Sequence, residues 1–128
     1  MPENRSWCPL PWKGVNVRNN GDYRVCCHAN TNDGKGILKS DDGATLHAAS
    51  APVAEVRNSP LLRELRRDML SGSRHPVCVR CNTEDDTGVR SRRGYEREFW
   101  REEFTLEQAR ALTAADGSIS TKDVPVGF

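Results

Sequence analysis

The chain has 128 residues, with 19 Lys and Arg against 18 Asp and Glu and a formal net charge of +1 at pH 7, a balance that gives no reason to invoke nucleic acid or an anionic membrane. Leu, Ile, Val and Phe make up 24 of the 128 residues, just below the roughly 20% under which a globular core becomes doubtful. Without the charge imbalance of disordered chains, this composition fits a small domain that uses a bound centre as a staple.

No apolar run approaches the roughly 20 residues of a membrane span, and residues 1–6 hold no signal-peptide core. The chain therefore reads as cytoplasmic. The expected organisation is a flexible stretch over 1–6, one domain over 7–115, and a tail or linker over 116–128. In a reducing compartment, five cysteines, an odd number with one tight pair, argue for thiolate ligation over disulfides.

Residues 14–26 predict a hairpin, with Val15 and Val17 alternating on one arm and Tyr23 and Val25 on the other. If Asn19-Asn20-Gly21 forms the loop with Gly21 left-handed, Val17 pairs with Tyr23 and Val15 with Val25, which places four apolar side chains on one face. Cys27 shares the parity of that face, whereas Cys26 points the other way. Cys26 is thus the expected ligand and Cys27 a core residue. Residues 31–56 are rich in small and polar residues, with turn signals at Asp33-Gly34 and Asp42-Gly43, and read as a long excursion.

Asn58-Ser59-Pro60 opens a helix, with Ser59 as N-cap and Pro60 at the first helical position. Leu61, Leu62, Leu65, Met69 and Leu70 form its apolar stripe and Gly72 ends it. Arg63, Arg66 and Arg67 are expected on its solvated face. After Cys81, the run Glu84-Asp85-Asp86 suits the first turn of a helix starting near Asn82 or Thr83, interrupted at Gly88 before Ser91. Tyr95, Phe99 and Trp100 give the next stretch an apolar edge, and Thr105-Leu106-Glu107-Gln108 is a capping box for a short helix through Leu112. The fold class that results is α+β: a small single domain, an N-terminal hairpin followed by two or three helices around a four-cysteine centre.

Cys8, Cys26, Cys78 and Cys81 are the candidate ligands, separated by 17, 51 and 2 residues. The Cys78-Val79-Arg80-Cys81 spacing turns two thiolates toward one centre from a single tight segment, whereas Cys8 and Cys26 arrive from separate segments. Iron–sulfur clusters and zinc both accept four thiolates. Structural zinc sites usually pair two close-spaced knuckles and this chain has one, which favours the cluster and leaves one zinc ion as the alternative. A thioredoxin-type redox pair wants a strand before it and a clear helix after it, and His75-Pro76 precedes this pair instead. His28 and His75 flank the cysteines, where either could replace one of them or bond to a sulfur, and His47 stands alone without a partner; all three are set aside as ligands. Trp7, Pro11 and Trp12 flank Cys8 and are expected to shield the centre or simply pack the core.

Cys8-Pro9-Leu10-Pro11-Trp12, Gly21 five positions before Cys26-Cys27, Asn58-Ser59 and Cys78-x-x-Cys81 together resemble a twitch domain, the short relative of the SPASM domain of radical S-adenosylmethionine proteins. The resemblance covers residues 7–104 or so. It implies one auxiliary 4Fe-4S cluster on Cys8, Cys26, Cys78 and Cys81. It also implies a role in electron transfer or structural support for a radical S-adenosylmethionine core in cis or trans, which acts on a peptide or small-molecule substrate. The catalytic Cys-x3-Cys-x2-Cys loop of such a core is absent from this sequence, so the chain is expected to be non-catalytic alone. The alternative is a structural zinc module that presents its arginine-rich helix to a protein partner. Arg90, Arg92 and Arg93 belong to a run of mixed charges read as a solvated helix, with contact to an anionic partner surface or a substrate carboxylate as the lesser reading.

Overall fold

Pro9 and Pro11 bracket the first ordered turn, where a missing N–H has no helical partner to lose. The segment around them forms a short helix, α1 (Leu10–Lys13), that the sequence reading did not anticipate. The computed structural model describes residues 4–29 and 35–126. The hairpin follows as β1 (Asn16–Val17) and β2 (Tyr23–Arg24), antiparallel with Val17 opposite Tyr23. Its loop is the expected one: Gly21 has φ of 94° and its N–H donates to Arg18 O at 2.9 Å.

The hairpin buries only one of its arms. Tyr23 and Val25 are buried, whereas Val15 and Val17 stay exposed at 36% and 46%. The reason lies in the stretch read as an excursion. Over its described part, residues 36–47 return along β2 and turn at Asp42-Gly43: Val25 N–H donates to Gly36 O, Leu38 N–H to Tyr23 O and Tyr23 N–H to Leu46 O. Ile37, Leu38 and Leu46 are buried by this contact. Single-residue bridges have no length over which a period of two can build up, which is why the segment looks aperiodic. The Asp33-Gly34 turn lies outside the described residues.

A five-residue helix, α2 (Val53–Arg57), precedes the main one, α3 (Pro60–Ser71). Pro60 sits in the first turn of α3 and Gly72 ends it with φ of 82°, as expected from the sequence. The Ser59 hydroxyl makes no cap bond and is buried without a partner among the described residues. Leu62, Leu65 and Met69 are buried, with Leu61 and Leu70 packed at their margin. Arg66 corrects the expectation of a solvated face, because it is completely buried. Its Nε donates to Pro11 O at 2.9 Å, its NH1 to Gly117 O at 3.1 Å, and its NH2 to Arg57 O. Burial, then the nearby Arg57 and Arg63 charges, lower it to about 9, which leaves it protonated at neutral pH.

A 3-10 turn (Pro76–Cys78) runs into α4 (Val79–Asp86), which starts three residues before the expected Asn82. His75 explains the early start: its Nδ1 accepts the Val77 N–H at 3.0 Å, so the imidazole caps the turn. Glu84, Asp85 and Asp86 consequently occupy the last turn of α4, the unfavourable end of the helix dipole. Each has an offsetting cation or imidazole, namely His28 for Glu84, Arg93 for Asp85 and Arg74 for Asp86. Ser91 Oγ accepts the Gly94 N–H to open α5 (Arg92–Trp100), and both bonds of the Thr105–Gln108 capping box open α6 (Leu106–Leu112). More helices thus follow the hairpin than the two or three expected, within the same α+β domain.

Trp7, Trp12 and Phe104 form the aromatic centre of the core, with ring centroids 5.0 to 6.4 Å apart. Trp12 Nε1 donates to Thr113 Oγ1 at 2.8 Å. The stretch expected as tail or linker packs onto this core over its described part, where Ile119 and Val124 are buried and Thr113 bridges Ile119. At the other end, Ser6 is buried and the Asn4 amide donates to Met69 O at 2.7 Å. No helix among the described residues is long and apolar enough to cross a membrane.

Gly117 and Gly43 form a matched pair for testing this packing, with φ of 88° and 87°. A Cβ at Gly117 would sit 2.1 Å from Arg63 O, whereas one at Gly43 would meet nothing within 4 Å. Gly43→Ala is expected to cost about 1–2 kcal/mol of backbone strain, and Gly117→Ala about 1–3 kcal/mol more from the clash. Equal losses for the two in urea denaturation would show that the 116–126 segment is not seated against α3.

Candidate metal centre

Three separate pieces of the fold bring the four candidate cysteines to one cavity. Cys8 lies just before α1, Cys26 just after β2, Cys78 ends the 3-10 turn and Cys81 lies in the first turn of α4. Cys78 and Cys81 stand three apart on a continuous helical path, the spacing that puts two side chains on one face. Leu65, Met69, Val77 and Pro11 supply most of the apolar wall, so water is largely excluded. All five cysteines are free thiols.

Cys27 corrects the expectation that it belongs to the core, because it is exposed. Strand β2 ends at Arg24 and the chain then turns, with Ala29 N–H donating to Cys26 O at 3.3 Å. Parity along a strand has no meaning past the strand's end. Cys26 faces the cavity because Val25 before it is still held to Gly36.

Burial pushes the Cys8 thiol well up, against the Leu10 N–H that favours the thiolate; Cys26 and Cys78 nearby raise it further. Cys26 is pushed up to about 12, mainly by burial, with the His28 N–H acting against this and Cys78, Cys27 and Cys81 adding to it. Cys78 is also raised, mainly by burial and against the charge of Arg93. The cysteines thus act on one another's charge across the shared cavity. Four soft donors in a dry, shared pocket fit a thiolate-bound metal or cluster.

Raised thiols are protonated at neutral pH, so a metal must displace their protons. Metal uptake is therefore expected to release protons and to tighten as pH rises from about 6 to 8. A pH-indicator dye in weakly buffered solution reads the release. Binding with no release would mean that the thiols are already ionised.

His28 lies on the cavity wall with Nε2 2.9 Å from Glu84 Oε1, and Cys81, His28 and Glu84 bring three possible ligand atoms within 4.8 Å of one another. Glu84 was not foreseen as part of the site; its place three residues after Cys81 on α4 was the available signal. His75 is engaged elsewhere: because Nδ1 accepts from Val77, Nε2 carries the proton and donates to Glu64 at 3.1 Å, leaving no lone pair for a metal. His47 pins the hairpin loop through Asn20 O at 2.8 Å. Pro11 lines the cavity, whereas Trp7 and Trp12 sit in the aromatic core. Arg93, expected on a solvated helix, is instead 2% exposed and lines the cavity.

The chain matches no family model, no curated protein and no solved structure.

Proposed function

We propose that the chain binds one 4Fe-4S cluster through Cys8, Cys26, Cys78 and Cys81. It would serve as an auxiliary electron-transfer or structural module of a radical S-adenosylmethionine system whose catalytic core is supplied in cis or trans. The observation that carries this reading is the convergence of four cysteines from three segments on one apolar cavity. Its donors at those four positions are all thiols. A bound cluster would supply a one-electron couple. The protein's part is to fill its coordination, exclude water with Leu65, Met69 and Val77 and set the local charge with Arg93.

A second reading rests on a different observation. His28 and Glu84 stand beside Cys81, and imidazole, carboxylate and thiolate together suit zinc. Iron, sulfide and zinc content, with an ultraviolet–visible spectrum, on protein purified and reconstituted without oxygen separates the two. About four irons and four sulfides per chain, with a broad absorbance bleached by dithionite, support the cluster. One zinc and no colour after the same reconstitution withdraw the electron-transfer role.

A further inference from the structure

Arg93 is the least expected group at the site. It lies in the first turn of α5, just past the buried N-cap Ser91, and is itself 2% exposed. Its NH1 donates to Asp85 Oδ2 at 2.8 Å and its NH2 to Asn82 Oδ1 at 2.8 Å. Both acceptors belong to α4, the helix whose first turn carries Cys81. The guanidinium lines the same cavity as the four cysteines, and its charge acts to lower both Cys78 and Cys8. Its Nε is buried with no partner among the described residues.

A buried guanidinium whose Nε has no acceptor is costly unless something negative offsets it. Asp85 supplies one negative charge, but its side chain is 28% exposed and partly screened by water. Four thiolates around a zinc dication, or around an oxidised 4Fe-4S core of the same charge, leave a net dianion in the cavity. We infer that Arg93 is the built-in counter-charge of the four-thiolate centre, aimed by Asp85 and Asn82, and that it favours the reduced, more negative state of that centre. The redox consequence rests on the cluster reading; the counter-charge does not.

The sign of the effect separates electrostatics from mere structural support. Removing the cation disfavours the added electron, whereas removing Asp85 leaves the cation less neutralised and favours it. The full chain is reconstituted without oxygen as wild type, Arg93→Gln, Arg93→Lys and Asp85→Asn, and each is titrated with redox dyes while iron and sulfide per chain are counted. At the wild-type midpoint, Arg93→Gln is expected to lower the reduced-to-oxidised ratio at least about tenfold, equal to about 59 mV for a one-electron couple. Asp85→Asn is expected to raise the ratio, and Arg93→Lys to stay nearer wild type than Arg93→Gln because the charge remains. Shifts of Arg93→Gln and Asp85→Asn in the same direction, or no shift in either, overturn the inference. If Arg93→Gln fails to load, the signs for Asp85→Asn and Arg93→Lys still decide it.

If the wild type takes up zinc and no iron with sulfide, the cluster reading alone falls. Arg93→Gln should then give up zinc to a chelator at least about tenfold more readily than wild type, while Asp85→Asn should not; equal retention by Arg93→Gln and wild type overturns the counter-charge. A wild-type chain that binds neither overturns both.

Discussion

Replacing Arg66 with methionine is expected to cost at least about 3–5 kcal/mol, a large share of a typical total of about 5–15 kcal/mol. The side chain is completely buried, and its guanidinium holds three backbone carbonyls from three places: Pro11 in α1, Arg57 at the end of α2, and Gly117 in the C-terminal segment. Methionine fills similar volume but donates nothing, so all three acceptors are left buried and unpaired at about 1–3 kcal/mol each. Where both partners of a buried polar contact are replaced together, the change is often neutral. Here the acceptors are main chain and cannot be replaced. Lysine should not rescue, because one ammonium cannot reproduce a planar fork reaching three directions. Arg67→Met, on the exposed side of the same helix, is the control and should stay within about 0.5 kcal/mol of wild type. Urea denaturation followed by near-ultraviolet circular dichroism reads both, and an Arg66→Met loss as small as that of Arg67→Met would remove Arg66 from the centre of the fold.

That residue also marks where sequence reading stops. Chemistry confined to a few neighbours was legible: Ser59-Pro60 and Gly72 bound α3, Thr105 and Gln108 form both bonds of the capping box, and Gly21 sets the hairpin register. Each of these depends on backbone angles within one turn. The missed features depend on residues far apart in the chain. Arg66 looks like any solvated-face arginine until Pro11 and Gly117, 55 and 51 residues away, close over it. Arg93 likewise sits in a run of mixed charges and gives no local sign that α4 will bury it. At the site the same division holds. Cysteine spacing was enough to select Cys8, Cys26, Cys78 and Cys81, which do line one cavity. His28 was visible as a neighbour of Cys26, but its bond to Glu84 spans 56 residues.

Cys26→Ala is expected to leave the chain with essentially no bound metal, and Cys27→Ala to leave metal content and stability as in wild type. Both cysteines are adjacent, so the contrast isolates direction from position. Cys26 lines the cavity and is half-buried, with Cys78 and Cys81 acting on it. Cys27 is exposed. Had Cys27 been the core residue that strand parity suggested, its truncation would empty space in a thin core and cost about 1–3 kcal/mol; on the surface it should cost less than about 0.5 kcal/mol. Losing Cys26 leaves three thiols in a cavity lined by four, one donor short for the proposed centre. Since Leu, Ile, Val and Phe supply only 24 of 128 residues, the metal's binding energy is expected to carry part of the folding energy. Metal-free Cys26→Ala should therefore be cut by protease faster than metal-loaded Cys27→Ala, and chelation should bring Cys27→Ala to the same rate. Retention of metal by Cys26→Ala with loss in Cys27→Ala would reverse the turn after β2. Equal protease resistance with and without metal would instead locate the chain's stability in the Trp7, Trp12 and Phe104 cluster and the Arg66 bonds alone.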